Sequence, residues 1–93
     1  MDITKKKILI AQNASFRAMG DEGVILRTDN GQLYSTNSTG TDFFEQILKG
    51  ASTSDAITAL VDIYDVSADV LAKDLAEMVV ELEAEGVLVV EDA

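Results

Sequence analysis

The feature that most constrains the fold is a change in hydrophobic period at Asn37. Before this residue, the runs at 14–18 and 24–28 are short, mostly apolar and separated by a glycine turn, a pattern typical of strands. After it, the segment 42–48 carries apolar side chains at helical spacing, and two longer helical patterns follow. Strands followed by helices predict an α+β fold and argue against alternating βαβ units.

A hairpin is predicted inside the strand-rich third by the pair Asn30-Gly31, which favours a two-residue turn with positive φ at both positions. The strand that follows covers 32–37 and carries no charge. With a two-residue loop, Arg27 is expected to lie opposite Tyr34, although a one-residue bulge would shift this register. If this strand lies at a sheet edge, it lacks the Lys, Pro or inward-facing charge that usually discourages pairing with another chain.

Three helices are predicted in the remainder of the chain, each with polar residues that can cap its start. The candidate caps are Ser38, Thr39 or Thr41 for the first helix, "STSD" at 52–55 for the second and Ser67 for the third. The third helix is the longest and runs to about Glu85, after which 87–91 is expected to return as a short strand or an extended tail. Its core-facing stripe is Leu71, Leu75, Met78, Val79 and Leu82, and beside it lies a strip of small side chains, Ala68, Ala72, Ala76 and Val79. The strip fits helix propensity or close packing or, as the alternative, the floor of a shallow groove.

Length and composition indicate a single domain over residues 1–93 with a net charge of −10. The chain has no cysteine, and no apolar run approaches the roughly 18 residues that a membrane span needs. Residues 65–93 carry nine acids and one base, which is typical of a solvated face and, as the alternative, of an electrostatic docking surface. We therefore expect a soluble cytoplasmic protein that binds neither membrane nor nucleic acid.

Catalytic chemistry is not indicated, because the chain has neither His nor Cys and its carboxylates fall on predicted exposed helix faces. We expect no enzyme activity, no metal site and no cofactor, since calcium-loop and phosphate-loop spacings are also absent. The element order is that of a winged helix-turn-helix. In a DNA-binding version the third helix would meet phosphates, but here it carries six acids and only Lys73.

The stretch from 20 to 88 resembles the PqqD-like family, the peptide-binding domains known as RiPP recognition elements. The resemblance is carried by an ordered set of short motifs. These are the apolar strand 24–26, the D-x-G hairpin 29–31, the aromatic strand ending at Asn37, Gly40 before Phe43-Phe44, Gly50 before a capped helix, Tyr64-Asp65-Val66, and an acidic helix closing on Gly86-Val87-Leu88. Members that act in pyrroloquinoline quinone biosynthesis usually carry a Pro-Glu pair after the hairpin, and this chain has no proline.

Family resemblance implies a three-stranded antiparallel sheet packed on three helices and an adaptor without catalysis of its own. Such domains bind the leader segment of a ribosomally made precursor peptide and present it to a separate modifying enzyme. That enzyme can be a radical S-adenosylmethionine protein, a cyclodehydratase or a lasso-peptide protease. The leader is expected to add as a strand to the edge of the third strand, in the groove beside the third helix.

The resemblance also implies which residues contact the peptide. They are Gln32, Leu33, Tyr34, Ser35 and Thr36 on the strand, and Ala72, Lys73, Ala76, Val79 and Val80 on the third helix. Strand alternation implies that one of Leu33 and Tyr34 faces the core instead. The alanines fit ordinary packing equally well, and Lys73 can meet a leader carboxylate or pair with Glu77 one turn later.

A second function remains open at this stage, a winged-helix protein–protein or regulatory module that docks through its acidic third helix and has no link to peptide modification. A transcription factor is disfavoured by the charge. Because an unprotected edge strand can also pair with its own copy, the sequence leaves the oligomeric state open.

Overall fold

A computed structural model describes residues 1–93, and the predicted strands and helices occur in it in the predicted order. They are a 3₁₀ turn (Ile3–Lys5), β1 (Lys6–Ile10), β2 (Ala14–Met19), β3 (Glu22–Arg27), β4 (Leu33–Thr36), α1 (Ser38–Leu48), α2 (Thr53–Tyr64), α3 (Ala68–Ala84) and β5 (Leu88–Asp92). Strands β2, β3 and β4 form a three-stranded antiparallel sheet in that order. With three helices after the sheet, the predicted α+β fold is confirmed. None of the helices has the length and apolar character to span a bilayer.

The hydrophobic core lies between the inner face of this sheet and the helices. Ile25 of β3 and the adjacent Phe43 and Phe44 of α1 are fully buried. The Phe16 ring of β2 packs against Phe44 with ring centroids 5.5 Å apart. α3 contributes the predicted apolar stripe, with Leu71, Leu75, Val79 and Leu82 buried. This packing fixes one side of α3 against the core and leaves its two flanks beside other elements.

A second, two-stranded ribbon forms from β1 and β5, and the sequence did not predict it. The segment expected to be a strand or an extended tail is a strand that pairs antiparallel with β1, with Ile8 opposite Val90. Lys6 Nζ lies 2.5 Å from Asp92 Oδ1 at the end of the ribbon. The Thr53 hydroxyl of α2 donates to the Lys6 carbonyl oxygen at 2.8 Å. The ribbon and the 3₁₀ turn pack against α2 and α3.

The register predicted for the β3–β4 hairpin is wrong. Tyr34 lies opposite Ile25, and Leu33 lies opposite Leu26, so the strands are shifted by two residues from the pairing of Arg27 with Tyr34. A shift of two keeps every side chain on its expected face, because side chains alternate with a period of two. Tyr34 therefore faces the helices, while Leu33 is 64% exposed on the outer face.

The shift arises because the loop contains four residues instead of two. The Arg27 N–H donates to the Gln32 carbonyl at 2.8 Å, and the Gly31 N–H donates back to the Arg27 carbonyl at 2.8 Å. Gly31 has φ +73°, a backbone conformation that glycine adopts without strain. The Thr28 N–H donates to the Asn13 carbonyl at 2.7 Å. This bond extends the β2–β3 ladder to Thr28 and so disfavours the two-residue turn between β3 and β4.

The helix starts follow the predicted capping chemistry with one correction. Ser52 and Ser67 cap α2 and α3 as predicted, their hydroxyl oxygens accepting from the N–H groups of Asp55 and Val70. The first helix is capped by Asn37, whose side-chain oxygen accepts from the Gly40 N–H at 2.9 Å. Ser38, Thr39 and Thr41 lie inside the helix. The helix begins at Ser38, directly after Asn37, whose backbone is still extended.

Candidate functional site

The open edge of β4 presents main-chain groups that have no partner strand. β4 is the last strand of its sheet and pairs only with β3. Arg27 and Gln32 are opposed as a hydrogen-bonded pair with one bond, from the Arg27 N–H to the Gln32 carbonyl, while the Gln32 N–H donates to the Asn30 side chain. Because such pairs alternate along an antiparallel ladder, Tyr34 directs its N–H and C=O toward β3, and Leu33 and Ser35 direct theirs away. Leu33 and Ser35 therefore offer their N–H groups as donors and their C=O groups as acceptors to an added strand.

The edge faces one flank of α3 across a groove, which we call the β4–α3 groove. At its first end, the apolar end, lies a cavity of about 330 Å³. Its lining residues are Ser35, Thr36, Asn37, Thr39, Tyr64, Val66, Val70, Leu71, Asp74, Leu75 and Met78. At the second end, the acidic end, lies a more open cavity of about 480 Å³ lined by Tyr34, Ser35, Glu81, Leu82, Ala84 and Glu85. Ser35 belongs to both linings, so the two ends are continuous along β4.

Contacts below the groove hold β4 in place. The Thr36 hydroxyl is hydrogen-bonded to the Thr41 hydroxyl at 2.8 Å in a buried position, which ties the end of β4 to α1. Opposite Thr36 on β3 lies Gly23, where an added Cβ would be 2.6 Å from Thr36 Oγ1 and 2.8 Å from Thr41 Oγ1. Glycine is thus required for this close approach. β4 is thus held by β3 and by its contact with α1, while the main-chain groups on the side away from β3 are free.

The apolar end contains an aromatic ring whose polar atom is already satisfied. The Tyr64 hydroxyl donates a short hydrogen bond to the Asp42 carboxylate. This bond is the main reason that the pKa of Tyr64 is raised above its ordinary value, with burial adding to the effect. The hydroxyl therefore stays protonated, and the ring offers an apolar surface beside Val66 and Val70.

The acidic end has the opposite character. Glu81 and Glu85 are exposed and line it, and no basic side chain lies within ion-pair distance of either. The Tyr34 hydroxyl oxygen is buried beside the Arg27 guanidinium, and although the two do not meet strict hydrogen-bond geometry, their proximity contributes to the raised pKa of Arg27. Arg27 is itself engaged, pairing with Asp29 at 2.8 Å and donating to the Glu85 carbonyl at 2.9 Å. Its pKa is raised mainly by the hydrogen bond to Asp29.

The structure brings together the strand residues that the sequence singled out. Tyr34, Ser35 and Thr36 line the groove, with Thr36 buried at its base. Leu33 belongs to the open edge through its main chain, but its side chain projects from the outer face of the sheet. Gln32 lies just before β4 and pairs with Arg27 at the hairpin end. Their role in peptide binding stays a prediction.

The helix residues singled out from the sequence do not form the wall opposite β4. Ala72, Lys73, Ala76 and Val80 line a separate cavity of about 560 Å³ on the other flank of α3, which we call the N-terminal cavity. Its other lining residues are Met1, Asp2, Ile3, Glu77 and Glu81. Val79 lies between the flanks and is fully buried in the core. At 3.6 residues per turn these positions lie on a different side of α3 from the residues that line the groove, and their role in peptide binding stays a prediction.

The wall of the groove consists of residues that the sequence had assigned to the core or passed over. Leu71, Leu75, Met78 and Leu82 belong to the predicted core stripe, and they also border the groove. The sequence shows this stripe, but it does not show which of the stripe's two margins borders β4, because a helical pattern does not distinguish the two flanks. No group of three or more metal-ligating side chains is close enough to hold a metal ion.

A family model matches residues 22–88 of the chain, and it describes coenzyme PQQ synthesis protein D (PqqD). The match covers more than half of the sequence. It includes β3, β4 and all three helices, and therefore both sides of the β4–α3 groove. The chain belongs to the PqqD family. The predicted resemblance is thereby confirmed. No curated protein sequence matches the chain.

Two solved structures share the fold of this PqqD-family domain. The first is TbiB1 in complex with the TbiA(beta) leader peptide, with a TM-score of 0.76 and 19% identity, covering 85% of this chain and 92% of that one. The second is a lasso peptide synthetase B1 complexed with the leader peptide, with a TM-score of 0.77 and 22% identity, covering 89% and 98%. At these identities the likeness establishes the fold.

Proposed function

We propose that this protein binds the leader segment of a ribosomally made precursor peptide and presents it to a separate modifying enzyme. The observation that carries the proposal is the open edge of β4 facing the β4–α3 groove. An extended peptide placed there gains main-chain hydrogen bonds from Leu33 and Ser35 and a place for alternate side chains in the groove. Both solved structures named above hold leader peptides, which supports the same function here.

The protein would act as an adaptor without chemistry of its own. Its groove offers hydrogen-bonding and apolar groups but neither His nor Cys to serve as nucleophile or base. The modifying enzyme is proposed to be a separate chain, such as a radical S-adenosylmethionine protein, a cyclodehydratase or a lasso-peptide protease. Binding both partners would raise the effective concentration of precursor at the enzyme.

Hydrogen exchange at individual amides of β4 tests strand addition directly. The isotopically labelled protein is titrated with each short precursor peptide encoded beside its gene. Exchange is expected to slow at Leu33 and Ser35, whose N–H groups point outward. It should change little at Tyr34, which already bonds to β3. Binding with uniform changes across β4, or changes confined to α3, would exclude strand addition.

An enzymatic assay tests the adaptor role. Adding the protein to the maturation enzyme encoded beside it is expected to lower the KM for the full precursor. It should leave the KM for a precursor without its leader unchanged. The matched control is the same protein carrying Ser35→Pro, which blocks the open edge. An equal effect on both precursors would show that the protein acts on the enzyme and not through the leader.

A further inference from the structure

The three-stranded sheet has one face that the helices leave uncovered. Its inner face packs on the core through Phe16, Ile25 and Tyr34, and the side chains at the alternate positions project to the opposite side. We call this side the outer sheet face. Its residues are Ser15, Arg17 and Met19 of β2, Glu22, Val24 and Leu26 of β3, and Leu33 and Ser35 of β4. All of them except the half-buried Val24 are exposed.

The outer sheet face is more apolar than a sheet face in water usually is. An antiparallel sheet with one face in solvent normally carries polar side chains there. Here Leu26 lies directly opposite Leu33, and the side chains of Met19 and Leu33 are 62% and 64% exposed. Val24 continues this apolar surface in the middle of the sheet. The three strands together span about 14 by 20 Å, and an exposed apolar patch of this order is often functional.

The charge of the outer sheet face also differs from that of the whole molecule. The chain has a net charge of −10, whereas this face carries one base, Arg17, and one acid, Glu22. Neither of the two ion pairs of the structure involves Arg17. Arg17 lies opposite Val24, so its free guanidinium adjoins the apolar surface. Arginine beside apolar side chains is enriched at protein–protein interfaces and favours a carboxylate on the partner.

The outer sheet face is continuous with the proposed leader site through β4. Leu33 belongs to both, because its main chain lies on the open edge and its side chain lies on the outer face. A leader strand added to β4 would direct alternate side chains into the groove and the others onto the outer face. A leader residue opposite Leu33 would place its side chain about 5 Å from that of Leu33. Leader binding would therefore extend the outer sheet face by a fourth strand.

We propose that the modifying enzyme docks on the outer sheet face and on the outward side chains of the bound leader, and so recognises the leader-bound protein in preference to the free one. The complementary surface of the enzyme is apolar and carries a carboxylate for Arg17. The inference rests on the proposed function, because it names the surface through which the leader is delivered. The face is smaller than the roughly 800 Å² that each partner buries in a standard complex, so the contact is transient.

A double variant on β2 tests the docking surface without touching the leader site. Arg17→Gln/Met19→Ser removes the free charge and an exposed apolar side chain. β2 lies three strand spacings, about 14 Å, from a strand added to β4, so the affinity for the leader should stay unchanged. The matched control is Lys49→Gln/Ile63→Ser, which removes one positive charge and one apolar side chain of the same 62% exposure from the helices. Circular dichroism checks that both variants fold.

Binding to the modifying enzyme encoded beside the gene is measured by biolayer interferometry. Each protein is applied free and saturated with the leader segment of the encoded precursor, and the leader alone gives the background. The enzyme is expected to bind the leader-bound wild type about five- to tenfold more tightly than the free protein, and saturating enzyme should raise the leader affinity by the same factor. Arg17→Gln/Met19→Ser should weaken enzyme binding of both forms by about five- to 30-fold, as truncation of central interface residues does. The control should behave like the wild type.

Four results would overturn the proposal, and they differ in what else they imply. If the leader slows exchange at Leu33 and Ser35 while the enzyme binds the β2 double variant as tightly as the wild type, the enzyme docks elsewhere and the leader-binding function stands. Equal affinity of the enzyme for free and leader-bound wild type, or no affinity for either, would exclude the composite surface. A wild-type dimer that the β2 double variant converts to a monomer in light scattering would make the face an interface between copies of this chain. If no encoded precursor slows exchange at the β4 amides, the proposed function fails and this inference fails with it.

Discussion

The two flanks of α3 carry similar residues but face different neighbours. Val70 on the groove side and Val80 on the other side are 54% and 50% exposed, and acidic residues accompany both. The groove side faces β4, whose outward N–H and C=O groups are free. The other side faces the 3₁₀ turn, where Asp2 accepts from the Thr4 N–H and closes the turn on itself. Side-chain composition therefore does not distinguish the two flanks, whereas free main-chain groups do, and they are the basis on which the peptide site is proposed.

The largest expected effect is on the free energy of unfolding, with no change in peptide affinity. Ile3 is 1% exposed and packs under the N-terminal cavity, so Ile3→Ala should lower the free energy of unfolding by about 2–4 kcal/mol. If the two flanks are independent, the affinity for a leader peptide should stay unchanged in conditions where the variant is folded. Urea unfolding measures the first quantity and fluorescence anisotropy the second. Val80→Ala, on the half-exposed part of the same cavity, is the mild control. A parallel loss of affinity would show that the cavity shapes the groove.

Blocking the open edge should affect binding without comparable loss of stability. Ser35→Pro removes an outward N–H that has no partner in the free protein, and edge strands tolerate proline at such positions. The unmade main-chain bond should weaken peptide binding by about 1–3 kcal/mol, roughly five- to 150-fold.

Ala18→Pro is the matched control for this variant. By the same alternation, the N–H of Ala18 points outward on β2, the opposite edge of the same sheet. It should leave the affinity unchanged, because β2 lies away from α3. Circular dichroism melting checks that both variants fold. Equal losses of affinity would mean that the peptide does not add to β4.

An intermediate effect on peptide affinity is expected from aspartate substitutions at Val70 and Val80, which lie on opposite flanks of α3 with similar exposure. Val70→Asp places a charge in the apolar end and removes about half of a buried valine's contribution, so leader binding should weaken by about 1–2 kcal/mol. Val80→Asp makes the same chemical change at nearly the same exposure on the other flank and should have no effect. Isothermal titration with the same peptide compares the two. A loss at Val80 that matched the loss at Val70 would move the binding surface to the N-terminal cavity.

The sequence predicted the elements better than their relation to one another. The period change at Asn37 and the serine caps depend on local patterns, and the structure agrees with them. The hairpin register failed because Thr28 bonds to Asn13 of a strand distant in sequence, which lengthens the loop beyond what Asn30-Gly31 alone favours. Tertiary contacts override local turn preference in this way.

The helix wall could not be predicted from the sequence for a related reason. A helical pattern identifies the core side of α3 and leaves two flanks, and nothing local indicates which flank faces β4. The choice is set by the 3₁₀ turn and the residues before it, since Asp2 and Ile3 line one cavity with Ala72 and Ala76. Because that turn was not predicted, the sequence alone placed the small-residue strip beside β4.

The smallest expected effect concerns the ribbon end, which lies away from the groove. The hydrogen bond and charge of Lys6 hold the pKa of Asp92 below its ordinary value of 3.8. A lowered pKa means that the folded state favours the carboxylate. The pair's contribution to stability is therefore present above pH 3.8 and is lost as the pH falls through the lowered value. Because the Asp92 side chain is 87% exposed, the contribution is small.

Asp92→Asn removes that contribution and so tests whether the ribbon influences the groove. Above about pH 4, the variant should melt slightly below the wild type, and the two curves should converge once the pH has fallen below the lowered pKa of Asp92, where its carboxyl is protonated in both states. Hydrogen exchange should quicken at Ala93, whose N–H bonds to the Lys5 carbonyl at 3.2 Å, and stay unchanged at Leu33 and Ser35. Faster exchange at the β4 amides would show that the ribbon helps to hold the edge proposed to bind the peptide. The two flanks of α3 would then be one coupled unit.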